Sequence, residues 1–395
     1  MKLIVTPWKQ GIGVFGLEEN VLVKANIYDK KQQICIGDIF LGRVNKILPN
    51  LCACFVQIGN GEEVFLPFDE ISSSLKAGDK VLVQIKKEAS KGKNALGTTK
   101  LSLSGLYCVV NRESHSVEVS SKLNVEERTY WKQRLKELLY SDEISQEEKE
   151  VLKKYCMIIR TNVSEAQDFS AVFSEWIELA SKMDFILEKG IHQSLFSKLY
   201  SEEYGYIKCF KNISQDNLDE VITDNREIYD DLNMFYRNVP EMQQKIRFYQ
   251  DDFSLVKLYS IESKLAEAVS KKVWLKCGGF LVIEPTEALT VIDVNSGKFD
   301  KKGDSENFYK KVNDEAAIEI AKQLKLRNIS GIIIVDFINM HLESNRKELL
   351  DILSKQVSKD SIKTCVIGMT SLGLVEMTRA KKEKPLWEQI NLGKE

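Results

Sequence analysis

The chain has 395 residues, 43% of them hydrophobic and 29% charged, which is enough apolar material for two or three folded domains. Lysine and arginine (56) nearly balance aspartate and glutamate (58), so the net charge of -2 excludes a protein that binds polyanions through overall basicity. Any polyanion site must be a local patch.

Membrane and secretory proteins are also excluded by the sequence. It contains no run of the about 18 to 20 apolar residues that a membrane span requires, and its N-terminus has too short an apolar core for a signal peptide. We therefore expect a cytoplasmic protein. The eight cysteines form no CxxC pair and have no histidine beside them, so we expect neither disulfides nor a structural zinc site.

The first 34 residues read as short strands. Gly11, Gly13 and Gly16 match the GxGxxG nucleotide-binding pattern, but that pattern requires a helix to follow it. Residues 20–28 are instead rich in alternating and β-branched residues, which predicts a β-hairpin. Four more strand-like runs, separated by turn residues, lie between residues 37 and 108 and predict a small barrel: GDIFLGRVNKIL, ACFVQIG, EVFLPF and KVLVQIKKE.

Helical patterning begins near Asn124 and continues through a highly charged stretch. Residues 156–159 form an apolar strand that ends in Arg160 and Thr161, and Ser164 with Gln167 predicts a capping box for the next helix. A guanidinium and a hydroxyl near a helix N-terminus suit a terminal phosphate. From the residues alone, an ordinary surface arginine remains the favoured interpretation.

Two aspartates end neighbouring strands in the C-terminal third. A strand at residues 288–292 runs into Asp293, a helix covers residues 308–327, and the apolar run at 331–337 contains Asp336. This order predicts two parallel strands joined by a right-handed crossover, with both acids at the same sheet edge. The continuous apolar run predicts a second strand that is buried on both faces.

Carboxylates brought together in this way favour a divalent cation, and magnesium prefers one or two carboxylates plus waters and phosphate oxygens. Asn295 lies on the same side of the strand as Asp293 and is expected to orient its carboxylate. The alternative interpretation is that both aspartates only cap strand-to-helix turns.

Two phenylalanines on successive barrel strands are candidates for base stacking. Phe55 and Phe65 each lie beside a short turn, and a lysine-rich segment follows them (Lys86, Lys87, Lys91, Lys93 and Lys100). Exposed aromatics beside a basic stripe are typical of a groove for single-stranded RNA. Equally compatible with the residues is a pair of core phenylalanines next to a solvated loop.

These segments, taken in order, resemble the catalytic region of the ribonuclease E/G family over nearly the whole chain. The motifs that carry the resemblance are GDIFLGRV, ACFVQIG with VFLPF, NALGTTKLSL, IIRT, EALTVIDVNSG, AAIEIAKQLKLRNISGIIIVDFINM and GLVEMTR. The resemblance implies an α+β multidomain fold with four parts: a split ribonuclease-H-like domain (1–34 and 206–268), an OB-fold RNA-binding barrel (35–108), a 5′-sensor domain (109–205) and a deoxyribonuclease-I-like catalytic α/β domain (269–395).

The resemblance also implies roles for individual residues. The magnesium ligands match Asp293 and Asp336 with Asn295 in support, the RNA-binding residues match Phe55, Phe65, Lys93, Arg327 and Lys363, and the 5′-phosphate contacts match Arg160 and Thr161. The implied activity is magnesium-dependent cleavage of single-stranded, A/U-rich RNA with a preference for 5′-monophosphorylated ends, giving a 5′-phosphate and a 3′-hydroxyl, in rRNA maturation and mRNA decay.

Two departures from the family pattern stand out. Asn339 occupies the second acidic position of the family's DFIDM, which is not one of the usual metal ligands. The CPxC motif that usually follows the catalytic domain and links two subunits through zinc is missing, so we expect a homodimer without a zinc link, or a monomer. The short, ribonuclease-G-like form of the family fits best.

Two other functions stay open at this point. One is a non-catalytic RNA-binding protein of ribosomal precursors, although such a protein would be free to lose Asp293, Asn295 and Asp336. The other is a phosphatase or nuclease that acts on DNA, against which the predicted OB-fold and 5′ sensor argue.

Overall fold

The computed structural model describes residues 1–29, 34–89, 93–112, 117–141, 144–165, 169–201, 205–211, 213, 217–297 and 305–391. Its strands are β1 (Lys2–Trp8), β2 (Gly11–Glu18), β3 (Val21–Asp29), β4 (Ile39–Leu48), β5 (Ala53–Gln57), β6 (Glu63–Pro67), β7 (Lys80–Lys87), β8 (Ala95–Thr98), β9 (Ser102–Ser104), β10 (Cys108–Asn111), β11 (Val117–Val119), β12 (Cys156–Ile159), β13 (Lys198–Tyr200), β14 (Glu220–Thr223), β15 (Ile246–Phe248), β16 (Lys272–Trp274), β17 (Phe280–Pro285), β18 (Leu289–Asn295), β19 (Gly331–Asp336), β20 (Thr364–Met369) and β21 (Leu374–Arg379). The helices are α1 (Val125–Tyr140), α2 (Gln146–Lys153), α3 (Phe169–Lys189), α4 (Gly205–Phe210), α5 (Arg226–Phe235), α6 (Pro240–Lys245), α7 (Leu255–Leu258), α8 (Ile261–Ala268), α9 (Ser305–Leu326), α10 (Glu343–Val357) and α11 (Leu386–Ile390).

The chain is divided into two compact units. The first comprises Met1–Lys31, Leu218–Phe235 and Glu241–Glu395, and the second comprises Gln32–Asn217 and Tyr236–Pro240. This division is coarser than the four parts implied by the family resemblance, whose boundaries stay predictions. Among the described residues, no helix is long and apolar enough to cross a membrane.

The first unit contains two sheets. The smaller has the strand order β15-β14-β1-β2-β3, in which the predicted N-terminal hairpin pairs with β14, more than 200 residues later in the chain. The larger has the order β16-β17-β18-β19-β21-β20. Within it β18 and β19 are parallel, as the strand, helix, strand order predicted, and all its other neighbouring strands are antiparallel.

One face of the larger sheet is covered by helices. The apolar stripe of α9 and the buried side of α10 form one core with alternate residues of the central strands, such as Ile292 and Val335. The intervening residues face away from that core, and Ile332 is 51% exposed within the chain. The prediction that β19 is buried on both faces is therefore wrong, because both helices pack on the same side of the sheet. We refer to the uncovered side as the open face.

The second unit contains a closed five-stranded, OB-like barrel with the order β4-β5-β6-β8-β7, which closes through pairing of β7 with β4. Four of these strands were predicted, and β8 was not. Gly97 interrupts the apolar pattern of β8, and a Cβ at that position would lie 2.5 Å from Val64 and 2.6 Å from Val83 inside the barrel. The residue that hides this strand in the sequence is thus the one that lets it pack.

The second unit also contains a four-stranded sheet, β11-β12-β10-β9, against which α1 and α3 pack, and β13 pairs with β4 of the barrel. The charged stretch predicted as helical forms α1 and α2, and each begins with a capping box, at Asn124 and at Ser145. Gln167, the partner of Ser164 in the predicted capping box, lies outside the described residues.

Candidate functional site

The two aspartates singled out in the sequence lie side by side on the open face. In the parallel pairing of β18 with β19, Asp293 is directly opposite Asp336, and both side chains are exposed. Adjacent strands are about 4.8 Å apart, so two opposed carboxylates reach a common point above the sheet. Their position at the carboxyl ends of both strands is where α/β sheets bind ligands.

Asn295 is in direct contact with this pair. Its side-chain nitrogen donates a hydrogen bond to Oδ2 of Asp293 at 2.7 Å, because residues two apart on a strand share a face. This contact orients one carboxylate. Two hard oxygen donors on an accessible surface fit magnesium, which forms bonds of about 2.0 to 2.1 Å and keeps several waters or phosphate oxygens.

A buried asparagine that the sequence analysis missed holds the segment after Asp336. Asn313 of α9 is 0% exposed; its amide nitrogen donates to the carbonyl of Ile338 (2.7 Å) and its oxygen accepts from the Ile338 N–H (3.0 Å). Glu306, at the start of α9, accepts from the N–H groups of His341 and Leu342. These backbone donors hold the pKa of Glu306 below its usual value. A polar residue within the apolar stripe of α9 is the signal that could have identified Asn313.

The two barrel phenylalanines are neither in the barrel core nor fully exposed. Phe55 and Phe65 are directly opposite each other in β5 and β6, and their rings meet edge to face with centroids 5.6 Å apart. Their strand neighbours, such as Val56 and Val64, fill the barrel instead. The interpretation of both phenylalanines as core residues is therefore wrong.

The same cross-strand row carries two lysines: Lys46, which the sequence analysis did not include, and Lys87, which belongs to the predicted lysine-rich segment. Lys46 of β4 pairs with Phe55, while Lys87 of β7 pairs with Leu96 of β8, which in turn pairs with Phe65. Lysines thus bracket an apolar, partly aromatic strip on the outer face of the barrel. Lys93 is exposed just before β8. Of the other predicted lysines, Lys86 is paired with Glu70, and Lys91 lies outside the described residues.

Comparison with known proteins identifies the family of this chain. The model of the "Ribonuclease E/G family" matches residues 102–382. The chain belongs to this family. Ribonuclease G of Escherichia coli K12 is 30% identical over 94% of this chain and 78% of its own length. Ribonuclease G of Haemophilus influenzae is 31% identical (97% and 79%), and a ribonuclease E/G-like protein of Pyropia yezoensis is 29% identical (90% and 71%).

Arg160, one of the two predicted 5′-phosphate contacts, is held by hydrogen bonds in the second unit. The guanidinium of Arg160 donates to the carbonyl of Gly105 (Nη1, 2.5 Å) and to that of Lys211 (Nη2, 3.2 Å). Thr161 is exposed and begins a short 3-10 helix, Thr161–Glu165, which precedes the predicted longer helix, α3. Arg160 is therefore half-buried and structurally engaged, which differs from the ordinary surface arginine favoured by the residues alone.

The loop that contains Gly105, whose carbonyl accepts a hydrogen bond from Arg160, is itself held by a buried carboxylate. Glu175 of α3 accepts hydrogen bonds from the N–H groups of Leu106, Tyr107 and Cys108 at 2.6 to 3.0 Å. Burial raises the pKa of Glu175, while these three donors act in the opposite direction. The loop and Arg160 thus form one hydrogen-bonded assembly.

The two basic residues expected along the RNA path have different environments. Arg327 is 3% exposed; its Nε donates to the side chain of Gln323 (2.6 Å) and its Nη1 to the carbonyl of Ser270 (2.7 Å). Burial lowers the pKa of Arg327 to about 10. These contacts give Arg327 a structural position, which does not favour the RNA contact predicted for it. Lys363, just before β20, is exposed.

Proposed function

We propose that this protein is a magnesium-dependent endoribonuclease that cleaves single-stranded, A/U-rich RNA. The observation that carries the proposal is the register of Asp293 opposite Asp336, with Asn295 bound to Asp293. Two relatives that are about 30% identical over most of this chain are named ribonuclease G, which supports the same activity. In this proposal the protein acts in the cytoplasm, in rRNA maturation and mRNA decay, either as a monomer or as a homodimer without a zinc link.

In the proposed reaction, Asp293 and Asp336 hold magnesium and Asn295 keeps the Asp293 carboxylate in its binding orientation. A bound magnesium ion would supply an activated water and stabilise charge on the phosphodiester, which accounts for a 5′-phosphate and a 3′-hydroxyl as products. The open face supplies the space in which the phosphodiester approaches both carboxylates.

The residues of the second unit would bind the RNA. Phe55 and Phe65 offer partly exposed ring surfaces for unpaired bases, and the lysines around them, including Lys93, offer charge for the backbone. Arg160 and Thr161 would bind the 5′-monophosphate. Lys363, exposed in the first unit, remains a proposed contact to the RNA backbone.

The decisive experiment is incubation of purified protein with a 5′-monophosphorylated, A/U-rich single-stranded oligoribonucleotide, with magnesium and with EDTA. We expect internal cleavage only with magnesium, and products whose new 5′ ends carry phosphate. A DNA oligonucleotide of the same sequence should remain uncut. Cleavage of DNA at an equal rate would contradict the assignment to RNA.

Non-catalytic RNA binding is the second candidate, because the aromatic strip of the barrel needs no metal to bind single strands. The same experiment separates the two functions. Magnesium-independent binding without any cleavage, in a protein whose folded state is verified by circular dichroism, would favour the binding function.

A further inference from the structure

Trp274 is an exposed tryptophan on the edge strand of the larger sheet. It is 65% exposed within the chain, whereas Trp8, Trp131 and Trp176 are buried and Trp387 packs partly against the core of the first unit. A single exposed apolar side chain is ordinary, but an exposed indole that forms part of an aromatic cluster is a candidate binding surface.

Trp274 belongs to an ordered cluster with Phe280 and Lys272. Trp274 and Phe280 are directly opposite each other in β16 and β17, and their rings meet edge to face with centroids 5.3 Å apart. The ammonium group of Lys272 lies 3.8 Å from the centroid of Trp274 and 3.6 Å from that of Phe280. These distances are well within the range of cation–π attraction, so the lysine holds both rings in place.

The pairing register connects this cluster to the carboxylate site. Phe280 is directly opposite Asn295, and Lys272 begins a row that crosses Val282 to Asp293 and then to Asp336. Residues directly opposite in neighbouring strands share a face. The cluster therefore lies on the open face, and two strand spacings of about 4.8 Å each separate Lys272 from Asp293.

We propose that Trp274, supported by Phe280 and Lys272, stacks a nucleobase of single-stranded RNA that lies next to the phosphodiester held at Asp293 and Asp336. This inference rests on the proposed function, and it adds a base-binding subsite in the first unit. An exposed indole suits a nucleobase, because every base is planar and can stack on the ring whatever the RNA sequence. The ammonium group of Lys272 suits the adjoining phosphate and is unfavourable for an apolar partner, which favours RNA over a hydrophobic protein segment.

Trp274→Ala should weaken RNA binding, measured by fluorescence anisotropy in the Asp293→Asn background, by about five- to 150-fold. Trp274→Tyr should retain most of the affinity because it keeps a stacking ring. Phe253→Ala is the matched control, since Phe253 is 53% exposed in the same unit but lies outside the cluster. Lys271→Ala is the control for loss of a positive charge near the cluster, because Lys271 is adjacent to Lys272 in the chain but pairs with Glu284.

An abasic scan identifies the base. Removing single bases from an oligoribonucleotide with one cleavage site should weaken binding at one nucleotide beside that site, and this penalty should vanish in Trp274→Ala. A penalty of equal size in both proteins would overturn the subsite. Loss of self-association in Trp274→Ala, with RNA binding unchanged, would also overturn it and make the surface an interface between two copies of the chain.

Failure of this proposal is distinguishable from failure of the proposed function. If the wild-type protein cleaves RNA with magnesium and Trp274→Ala cleaves and binds equally well, only the subsite is wrong. If the wild-type protein binds RNA without cleaving it, the proposed function is wrong, and an abasic penalty that vanishes in Trp274→Ala would still show that Trp274 stacks a base.

Discussion

The open face of the larger sheet and the outer face of the barrel are built in the same way. Each carries an edge-to-face aromatic pair formed by directly opposite residues of antiparallel strands: Trp274 with Phe280, and Phe55 with Phe65. Each also has lysine in the same cross-strand region. The difference is that two carboxylates share the open face, whereas the aromatic strip of the barrel is flanked by lysines.

This difference predicts separate roles for the two faces in RNA binding and in cleavage. Strand alternation alone produces a face that is free for a ligand, because every second side chain leaves the core. The pair of carboxylates additionally depends on the crossover that places β18 and β19 side by side in parallel. We therefore expect substitutions on the barrel face to change affinity and substitutions at the carboxylates to change the rate of cleavage.

The largest expected effect is on the open face. Asp293→Asn and Asp336→Asn should each lower cleavage by at least about three orders of magnitude, because loss of a hard anionic ligand removes several kcal/mol of transition-state stabilisation. RNA affinity should change little, since it comes from phosphate and stacking contacts. Single-turnover cleavage and anisotropy on the same samples measure both. Asp351→Asn, an exposed aspartate of α10, is the control. Cleavage at the normal rate by the double variant would rule out the two-carboxylate site.

On the barrel face the effect should be on affinity. Phe55→Ala and Phe65→Ala should each weaken binding of single-stranded RNA by about five- to 150-fold, while the rate at saturating RNA stays near that of the wild type. Phe68→Ala removes a nearby exposed ring outside the strip and should have no such effect. A lower melting temperature with unchanged affinity would show that the pair serves the barrel and not the RNA.

Arg160 extends the comparison to a residue that lies on neither face. Arg160→Ala should reduce the preference for 5′-monophosphorylated over 5′-hydroxyl RNA by roughly one to two orders of magnitude, since a hydrogen bond to a charged group contributes about 1.5 to 3 kcal/mol. The ratio of the two substrates corrects for structural damage caused by losing the contacts to Gly105 and Lys211.

The matched control for Arg160 is Asn162→Ala. Asn162 donates to the same Lys211 carbonyl at 2.9 Å but carries no charge, so its loss perturbs the same loop without removing a phosphate ligand. Equal slowing of both RNA substrates by Arg160→Ala would mean that Arg160 serves only the fold.

Behind the open face, Asn313 should affect stability. Asn313→Leu leaves the N–H and carbonyl of Ile338 without their partners and should lower the free energy of unfolding by about 1 to 3 kcal/mol. The magnesium concentration for half-maximal activity should also rise, because Ile338 follows Asp336 by two residues. Asn391→Leu is the surface control. An unchanged denaturant midpoint for Asn313→Leu would show that the hydrogen bonds between Asn313 and Ile338 do not stabilise the fold.

The smallest expected effect concerns the zinc content of the protein. Metal analysis of chelator-free protein should show no stoichiometric zinc. Cys52 is exposed while Cys54 is buried in the barrel, so the two nearest cysteines in sequence do not share a surface. One zinc per two chains would show that another set of cysteines bridges subunits.

Much of the candidate site was predictable because its parts are local or follow from chain order. Asp293 and Asp336 lie at the ends of two strands that flank a helix, and this order predicts that the two strands are parallel neighbours. The two-residue spacing of Asp293 and Asn295 predicts that their side chains are in contact. The fifth barrel strand was not predictable in this way, because Gly97 is favourable only inside a closed barrel. The row of Lys46 and Lys87 around the phenylalanines likewise depends on pairing between distant strands.

The sequence by itself determined the family, the alternation of the strands and the order that places two carboxylates at one sheet edge. Only the tertiary structure decided that β19 has an open face, that Arg327 is buried and that Arg160 is bound by backbone carbonyls. The physical reason is that periodicity records which residues share a side of an element. Whether that side is covered depends on helices and loops that pack from elsewhere in the chain.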